Sequence, residues 1–257
     1  MTQIRFSKME GLGNDFIVMD DRNGSIDAGI SYSALSKILC DRHFGIGGDG
    51  IILVNPSKDH DIRFVIYNSD GSRADMCGNG MRCFAKYLYE KKTIDNKQIR
   101  VQTDAGTVVP EVVADASGRV TSVRVDMGPP VLPCRDVPFI SDKNTAIDEP
   151  VDMADGTTVT LTAVGMGNPH AVVFVEDLSE VDVAGQGRAI EIHPRFPAKT
   201  NVEFIQVIDD QTLKMKVWER GAGMTLACGT GACAALTAAH VTGRTGNRAT
   251  VMLDGGD

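Results

Sequence analysis

Two cysteines stand in matched surroundings in the two halves of the chain. Cys77 opens Cys77-Gly78-Asn79-Gly80, and Cys228 opens Cys228-Gly229-Thr230-Gly231. Each motif runs into a segment of helical character, Met81 to Leu88 in the first and Ala232 to Ala239 in the second. Glycines just before a helix let its first N–H groups point at an anion. A thiol at that place also feels the positive end of the helix dipole, which favours thiolate. A lone cysteine is more often a buried structural thiol; the repeated context is what points to chemistry. Removing the α-proton of an amino acid and returning one to the other face needs a base and an acid. A thiol with an ordinary pKa of about 8.5 serves as either after modest tuning. Two helix N-termini facing one carboxylate would hold it through backbone N–H groups and stabilise charge developing beside it.

Composition narrows the setting. The chain has 257 residues and a formal net charge of -8. That size suits one large domain or two smaller ones and buries a good core. The acidic balance argues against a nucleic-acid partner. There is no apolar run long enough to span a bilayer and no charged-then-apolar leader, so a cytoplasmic protein is expected. The six cysteines then read as reduced thiols. Cys83 and Cys233 sit one turn into their helices and read as core; Cys40 and Cys134 have no motif and read as structural. Neither motif has Cys-x-x-Cys spacing, and His43, His60, His193 and His240 form no ligand cluster, so no metal site is expected. No lysine lies in a recognisable cofactor motif, and no cofactor is expected. The expected partner is a small-molecule substrate, in a homodimer.

The elements that must position the thiols follow in order. Ile4-Arg5-Phe6 begins a strand, and Gly11-Leu12-Gly13-Asn14 is a turn or functional loop before apolar Phe16 to Met19. Ser31 to Cys40 has helical spacing with Ser31 or Ser33 as cap. Gly45 to Gly50 is a flexible loop before strand Ile51 to Val54. Arg63 to Tyr67 is a strand ending in the turn cluster Asn68 to Ser72. Residues 99–103 and 106–110 read as a hairpin, and Val120 to Met127 as a crossing strand. Gly128 to Asp155 is Pro-rich and reads as irregular connection. Strands Thr157 to Val164 and Ala171 to Val175 then flank Gly165-Met166-Gly167-Asn168-Pro169-His170.

This restart is an internal repeat. Gly11–Asn14 matches Gly165–Asn168 at an offset of 154; Gly50–Val54 matches Glu203–Val207 at 153; Asn68 matches Glu219 and Cys77 matches Cys228 at 151. Two copies of one α/β unit are expected, residues 1–122 with Cys77 and 123–257 with Cys228. The twin of Gly13-Asn14 at Gly167-Asn168 favours a site role for both asparagines, and the place of Glu219-Arg220 before Cys228 favours the pocket over a surface ion pair.

Residues 68–82, Asn-Ser-Asp-Gly-Ser-Arg-Ala-Asp-Met-Cys-Gly-Asn-Gly-Met-Arg, closely resemble the signature of the diaminopimelate epimerase family. Residues 11–16, 167–170, 201–204 and 219–231 are similar to it as well. The resemblance implies a cofactor-independent two-base enzyme interconverting LL- and meso-diaminopimelate, a step in lysine and cell-wall synthesis. Cys77 and Cys228 would be the catalytic pair, one thiolate base and one thiol acid. Gly78, Asn79, Gly229 and Thr230 would present N–H groups to the reacting carboxylate, and Asn14 would line the pocket. Asn68, Asn168, Asn201 and Arg220 would grip the distal carboxylate and Glu219 an amino group; His170 and Glu219 would assist proton movement. The implied fold is α/β (α+β), two similar lobes, each a curved mixed sheet wrapped around its central helix, with the active site in the cleft between lobes. Two departures are seen. Some members carry Gln where Gly50 stands, and the family's closing strands after residue 257 are absent, so an open sheet edge and lower stability are expected. The competing readings are a related racemase, a thiol–disulfide redox protein using the same cysteines, and a binding protein that only clamps an amino acid.

Overall fold

The structure, a computed structural model, describes residues 3–26 and 29–257. The chain divides into two compact units, Met1–Asp126 and Met127–Asp257. Both are sheet-rich lobes of mixed α and β structure with few helices.

The first unit runs β1 (Ser7–Gly11), β2 (Asn14–Asp20), α1 (Tyr32–Cys40), β3 (Gly50–Asn55), β4 (Ile62–Asn68), β5 (Arg73–Ala74), α2 (Gly78–Glu90), β6 (Val101–Thr103), β7 (Gly106–Val108), β8 (Glu111–Ala114) and β9 (Val120–Arg124). Among the described residues, its main sheet has the order β1-β2-β3-β4-β6-β7, with β5 beside β4. The pairs β2–β3 and β4–β6 are parallel and the rest antiparallel. The sheet is covered on both faces, so its inner strands are continuous apolar runs, not alternating ones. Phe16, Val18, Ile52, Val54, Phe64 and Ile66 pack on α2 through Met81, Phe84 and Leu88. Ile17, Met19, Ile51, Leu53 and Val65 pack on α1 through Leu35 and Cys40. The hairpin β8–β9 adds Val112 and Val120 to the α2 cluster. Ser31 caps α1, its Oγ accepting the N–H of Ala34.

The second unit repeats this order: β10 (Glu149–Asp152), β11 (Thr158–Gly165), β12 (Pro169–Val175), α3 (Val183–Glu191), β13 (Asn201–Asp209), β14 (Thr212–Glu219), β15 (Gly223–Thr225), α4 (Gly229–Val241) and β16 (Thr250–Met252). Its sheet order is β10-β11-β12-β13-β14-β15, with β16 parallel to β14. Val172, Ile205, Leu213, Met215 and Val217 pack on the alanine face of α4. Ala171, Val173, Val202 and Phe204 pack on α3 through Val183 and Ile190.

Register corrects one expected match. Ile51 pairs with Tyr67, and Val202 pairs with Trp218. Glu203 is therefore the counterpart of Ile52, at offset 151, and Asn201 the counterpart of Gly50. By the same logic Phe16, paired with Gly50, corresponds to His170, paired with Asn201. The first strand begins at Ser7 instead of Ile4, and the strand from Val120 ends at Arg124. The Pro-rich stretch does more than connect: Cys134, Val137, Phe139 and Ala146 are buried against the second unit's sheet, and it contains β10.

Helix α3 was not foreseen, because Gly185 and Gly187 are poor helix formers. Gly187 has a packing reason. A Cβ there would stand 2.6 Å from Cβ of Trp218, so only glycine lets α3 lie on that ring. Gly187→Ala gains up to about 1 kcal/mol of helix propensity, but forced overpacking costs about 1–3 kcal/mol. The expected outcome is a lower melting temperature, read by calorimetry.

Candidate active site

The two cysteines cap their helices. Cys77 precedes α2 with φ -143° and ψ 119°, and its Sγ accepts the N–H of Gly80 at 3.4 Å. Cys228 precedes α4 with φ -134° and ψ 112°, and its Sγ accepts the N–H of Gly231 at 3.3 Å. Sulfur here takes the place that Ser, Thr, Asp or Asn usually fills. The last glycine of each motif leaves little room for a side chain. A Cβ at Gly80 would meet Ile52 Cδ1 at 3.1 Å; one at Gly231 would meet Glu203 Oε1 at 2.8 Å and Cys228 Sγ at 3.2 Å. The first N–H groups of a helix have no carbonyl of their own helix to bond, which suits Gly78, Asn79, Gly229 and Thr230 to anion binding.

In the first unit three expected residues meet. Asn14 Oδ1 lies 3.9 Å from Cys77 Sγ and accepts the Nδ2–H of Asn79 at 3.3 Å. Asn14 Nδ2 donates to Asp49 Oδ2 at 2.7 Å, and the same oxygen accepts the Asp15 N–H. Arg42 bridges Asp49 and Asp15. Its guanidinium and Lys8 hold the Asp15 carboxyl below the usual range against the opposing effect of burial. The Gly45 to Gly50 loop thus supplies Asp49, which holds the Asn14 amide nitrogen. Asn68 is exposed, with Nδ2 donating to Ser72 Oγ. Gly50 offers no side chain, and a Cβ there would stand 2.6 Å from the Tyr67 carbonyl oxygen.

In the second unit Cys228 is 7% exposed. Burial pushes its thiol well up, and the charges of Glu219 and Glu203 add to this, while Thr230 and the Gly231 N–H pull the other way. The helix terminus alone therefore does not make this thiol a thiolate. Thr230 Oγ1 is 3.4 Å from the sulfur. Burial likewise raises the Glu219 carboxyl, opposed by hydrogen bonds from the Thr225 hydroxyl at 2.5 Å and from the Cys228 thiol. His170 is fully buried between Glu203, whose Oε1 is 2.7 Å from Nδ1, and Asn168, whose Oδ1 is 2.8 Å from Nε2. Asn201 accepts the Arg220 N–H and donates to the Pro169 carbonyl. The Arg220 guanidinium donates to the Ala198 carbonyl. Cys83 and Cys40 are buried structural thiols, Cys83 pushed by burial up to about 11.

The sequence reading missed Asp49, Glu203 and Thr225. Asp49 lay in a noted loop. Glu203 lay in a strand run where a charged residue reads as outward-facing. Among the described residues, no group of three or more His, Cys, Asp or Glu side chains is placed to hold a metal ion, and no helix is long and apolar enough to cross a membrane. A groove of about 950 Å³ beside Ile4, Phe6, Arg22 and Tyr87 contains none of these site residues.

The family model for diaminopimelate epimerase matches residues 6–133 and 162–257. The chain is 52% identical to a diaminopimelate epimerase of Desulforapulum autotrophicum over 99% of its own length and 90% of the relative's. It is 47% identical to one of Heliobacterium modesticaldum, covering 98% and 90%. A solved structure of a probable proline racemase from Agrobacterium radiobacter K84 shares the fold, with TM-score 0.67 at 18% identity, over 94% of this chain and 78% of that one.

The raised Glu219 carboxyl yields a prediction with a definite sign. A folded-state pKa above the unfolded one gives stability at low pH that is lost as pH rises past it. Glu219→Gln, which keeps the acceptor for Thr225, should melt above the wild type at pH 7. That difference should vanish below the ordinary carboxyl value of 4.5. A difference independent of pH would contradict the assignment.

Proposed function

Because the chain belongs to the diaminopimelate epimerase family, an amino-acid epimerase family, we propose that it interconverts LL- and meso-diaminopimelate through Cys77 and Cys228. One thiolate takes the α-proton, and the other thiol gives a proton to the opposite face of the same carbon. The configuration inverts and no redox change occurs. The observation that carries this reading is the matched capping of α2 and α4 by two cysteine sulfurs, each over the N–H of a glycine three residues on. A sulfur so placed lies beside the N–H groups that would receive the substrate's carboxylate, at Gly78 and Asn79 and at Gly229 and Thr230. Those dipoles oppose the charge that builds on the carbon and carboxylate as the proton leaves.

The two thiols begin from different states. Burial with Glu219 and Glu203 nearby pushes the Cys228 thiol up, which suits it to the acid role. Asn14 sets an acceptor oxygen beside Cys77. Asn68, Asn168, Asn201 and Arg220 are assigned to the distal carboxylate, and Asn201 also accepts the Arg220 N–H. Glu219 is assigned to an amino group, and His170 supports proton movement. The reading places the reaction in lysine and cell-wall precursor synthesis, in the cytoplasm, in a homodimer, with no cofactor.

The test is turnover of LL-diaminopimelate beside a panel of other amino acids, without added cofactor, followed by chiral chromatography. Only diaminopimelate is expected to invert. Cys77→Ala and Cys228→Ala should each lose at least about 10²-fold in kcat, the scale of positioned acid–base catalysis, with circular dichroism unchanged. Full turnover by either variant would rule out the two-thiol scheme. Inversion of proline instead would assign the related racemase chemistry.

A further inference from the structure

Equivalent places in the two units have opposite chemistry beneath the capping sulfur. Under Gly80 the first unit has Ile52, and Phe16 stands on β2 two residues before Val18, the partner of Ile52. Under Gly231 the second unit has Glu203, and His170 stands on β12 two residues before Val172, the partner of Glu203. Glu203 and His170 are both 0% exposed. An acid and an imidazole in a sheet core are costly compared with Ile and Phe, so they need a reason. Glu203 Oε2 has no hydrogen-bond partner, so this carboxyl is not simply satisfied.

The proton positions follow from burial. Glu203 Oε1 faces Nδ1 of His170, and Asn168 Oδ1 faces Nε2. If Nδ1–H donated to an anionic Glu203 while Nε2 stayed bare, the pair would bury a net negative charge, and Glu219 on β14 already adds a carboxyl nearby. A neutral pair avoids this. It is either imidazolium with carboxylate or imidazole with carboxylic acid. Both forms place one proton between Nδ1 and Oε1 and another on Nε2. Nε2 is therefore a donor in each, and it takes the oxygen of the Asn168 amide. That leaves the amide nitrogen of Asn168 for a ligand.

The first unit sets its matching asparagine the other way. Asp49 is an acceptor and takes Nδ2 of Asn14, so the amide oxygen faces Cys77 and Asn79. Two asparagines at equivalent turns thus present opposite ends, one fixed by Asp49 just before β3 and the other by Glu203 on β13 through His170.

We propose that Glu203 is a positioning residue: through His170 it locks the Asn168 amide with its nitrogen outward, as a donor for the distal carboxylate of the substrate. This rests on the function proposed above. Without Glu203, nothing fixes which ring nitrogen of His170 faces Asn168 as a donor, and Asn168 turns its oxygen toward the carboxylate in part of the population.

The test uses the full chain and two readouts. Long-range ¹H–¹⁵N spectra of the wild type should show His170 Nε2 carrying a proton; a bare Nε2 overturns the proposal whatever the enzyme's substrate. The variant is Glu203→Ile, the residue found at this place in the first unit. Its KM for diaminopimelate should rise about tenfold or more, the scale of a lost hydrogen bond to a charged group, with kcat retained to a greater degree. Lysine, which is diaminopimelate lacking one carboxylate, should inhibit the variant as well as it inhibits the wild type. Equal weakening of both compounds, or an unchanged KM, overturns the proposal. Absence of diaminopimelate turnover by the wild type would instead refute the function reading, and the spectra would still decide the place of the proton.

Discussion

A sulfur accepting the third N–H of a buried helix is the contact on which this structure turns. It fixes where each helix begins, and therefore where its remaining N–H groups point. It leaves little room at the third position, where a Cβ would crowd the strand below or the sulfur itself. It also sets the thiol at the edge of a packed core, with Met81 and Phe84 buried one turn on in α2 and Ala234 and Ala235 in α4. The sheets, with both faces covered, are the rigid beds that hold these helices, so that a soft side chain is aimed by stiff elements.

The same scaffold made twice has been loaded differently. In the first unit the strands beneath the cap are apolar, and the polar work is done at the surface by Asp15, Arg42 and Asp49. In the second, Glu203 and His170 move charge or its equivalent into the core, and Glu219 lies beside the thiol. Breaking a buried pair by removing one partner typically costs about 3–5 kcal/mol, so such groups constrain neighbours far more firmly than surface pairs do. An enzyme that must treat two faces of one carbon differently gains from such an asymmetry. Each thiol can have its own resting state although both stand on the same backbone.

Much of this was readable from residue order. The apolar runs Phe16 to Met19 and Ile51 to Val54 became inner strands, and Ser31 became a helix cap, because local pattern and tertiary burial agreed there. The cysteine-glycine motifs gave the helix starts and the family gave the two-lobe fold. The failures have physical causes. An apolar strand fits its twin in more than one register, so the match of Gly50 slipped by two residues until hydrogen-bond pairing decided it. Helix α3 violates propensity because packing on Trp218 requires glycine. Glu203 could not be singled out, since nothing local distinguishes a buried glutamate in a strand from a solvated one.

The central claim is that two separate thiols handle the proton, one on each face. Its most direct measurement is the isotope content of both stereoisomers at low conversion in deuterated water. The account predicts one deuterium at the inverted carbon of the product, with recovered substrate still fully protiated. A product that keeps the substrate's own hydrogen, or early deuterium in substrate of unchanged configuration, would mean that a single base serves both faces.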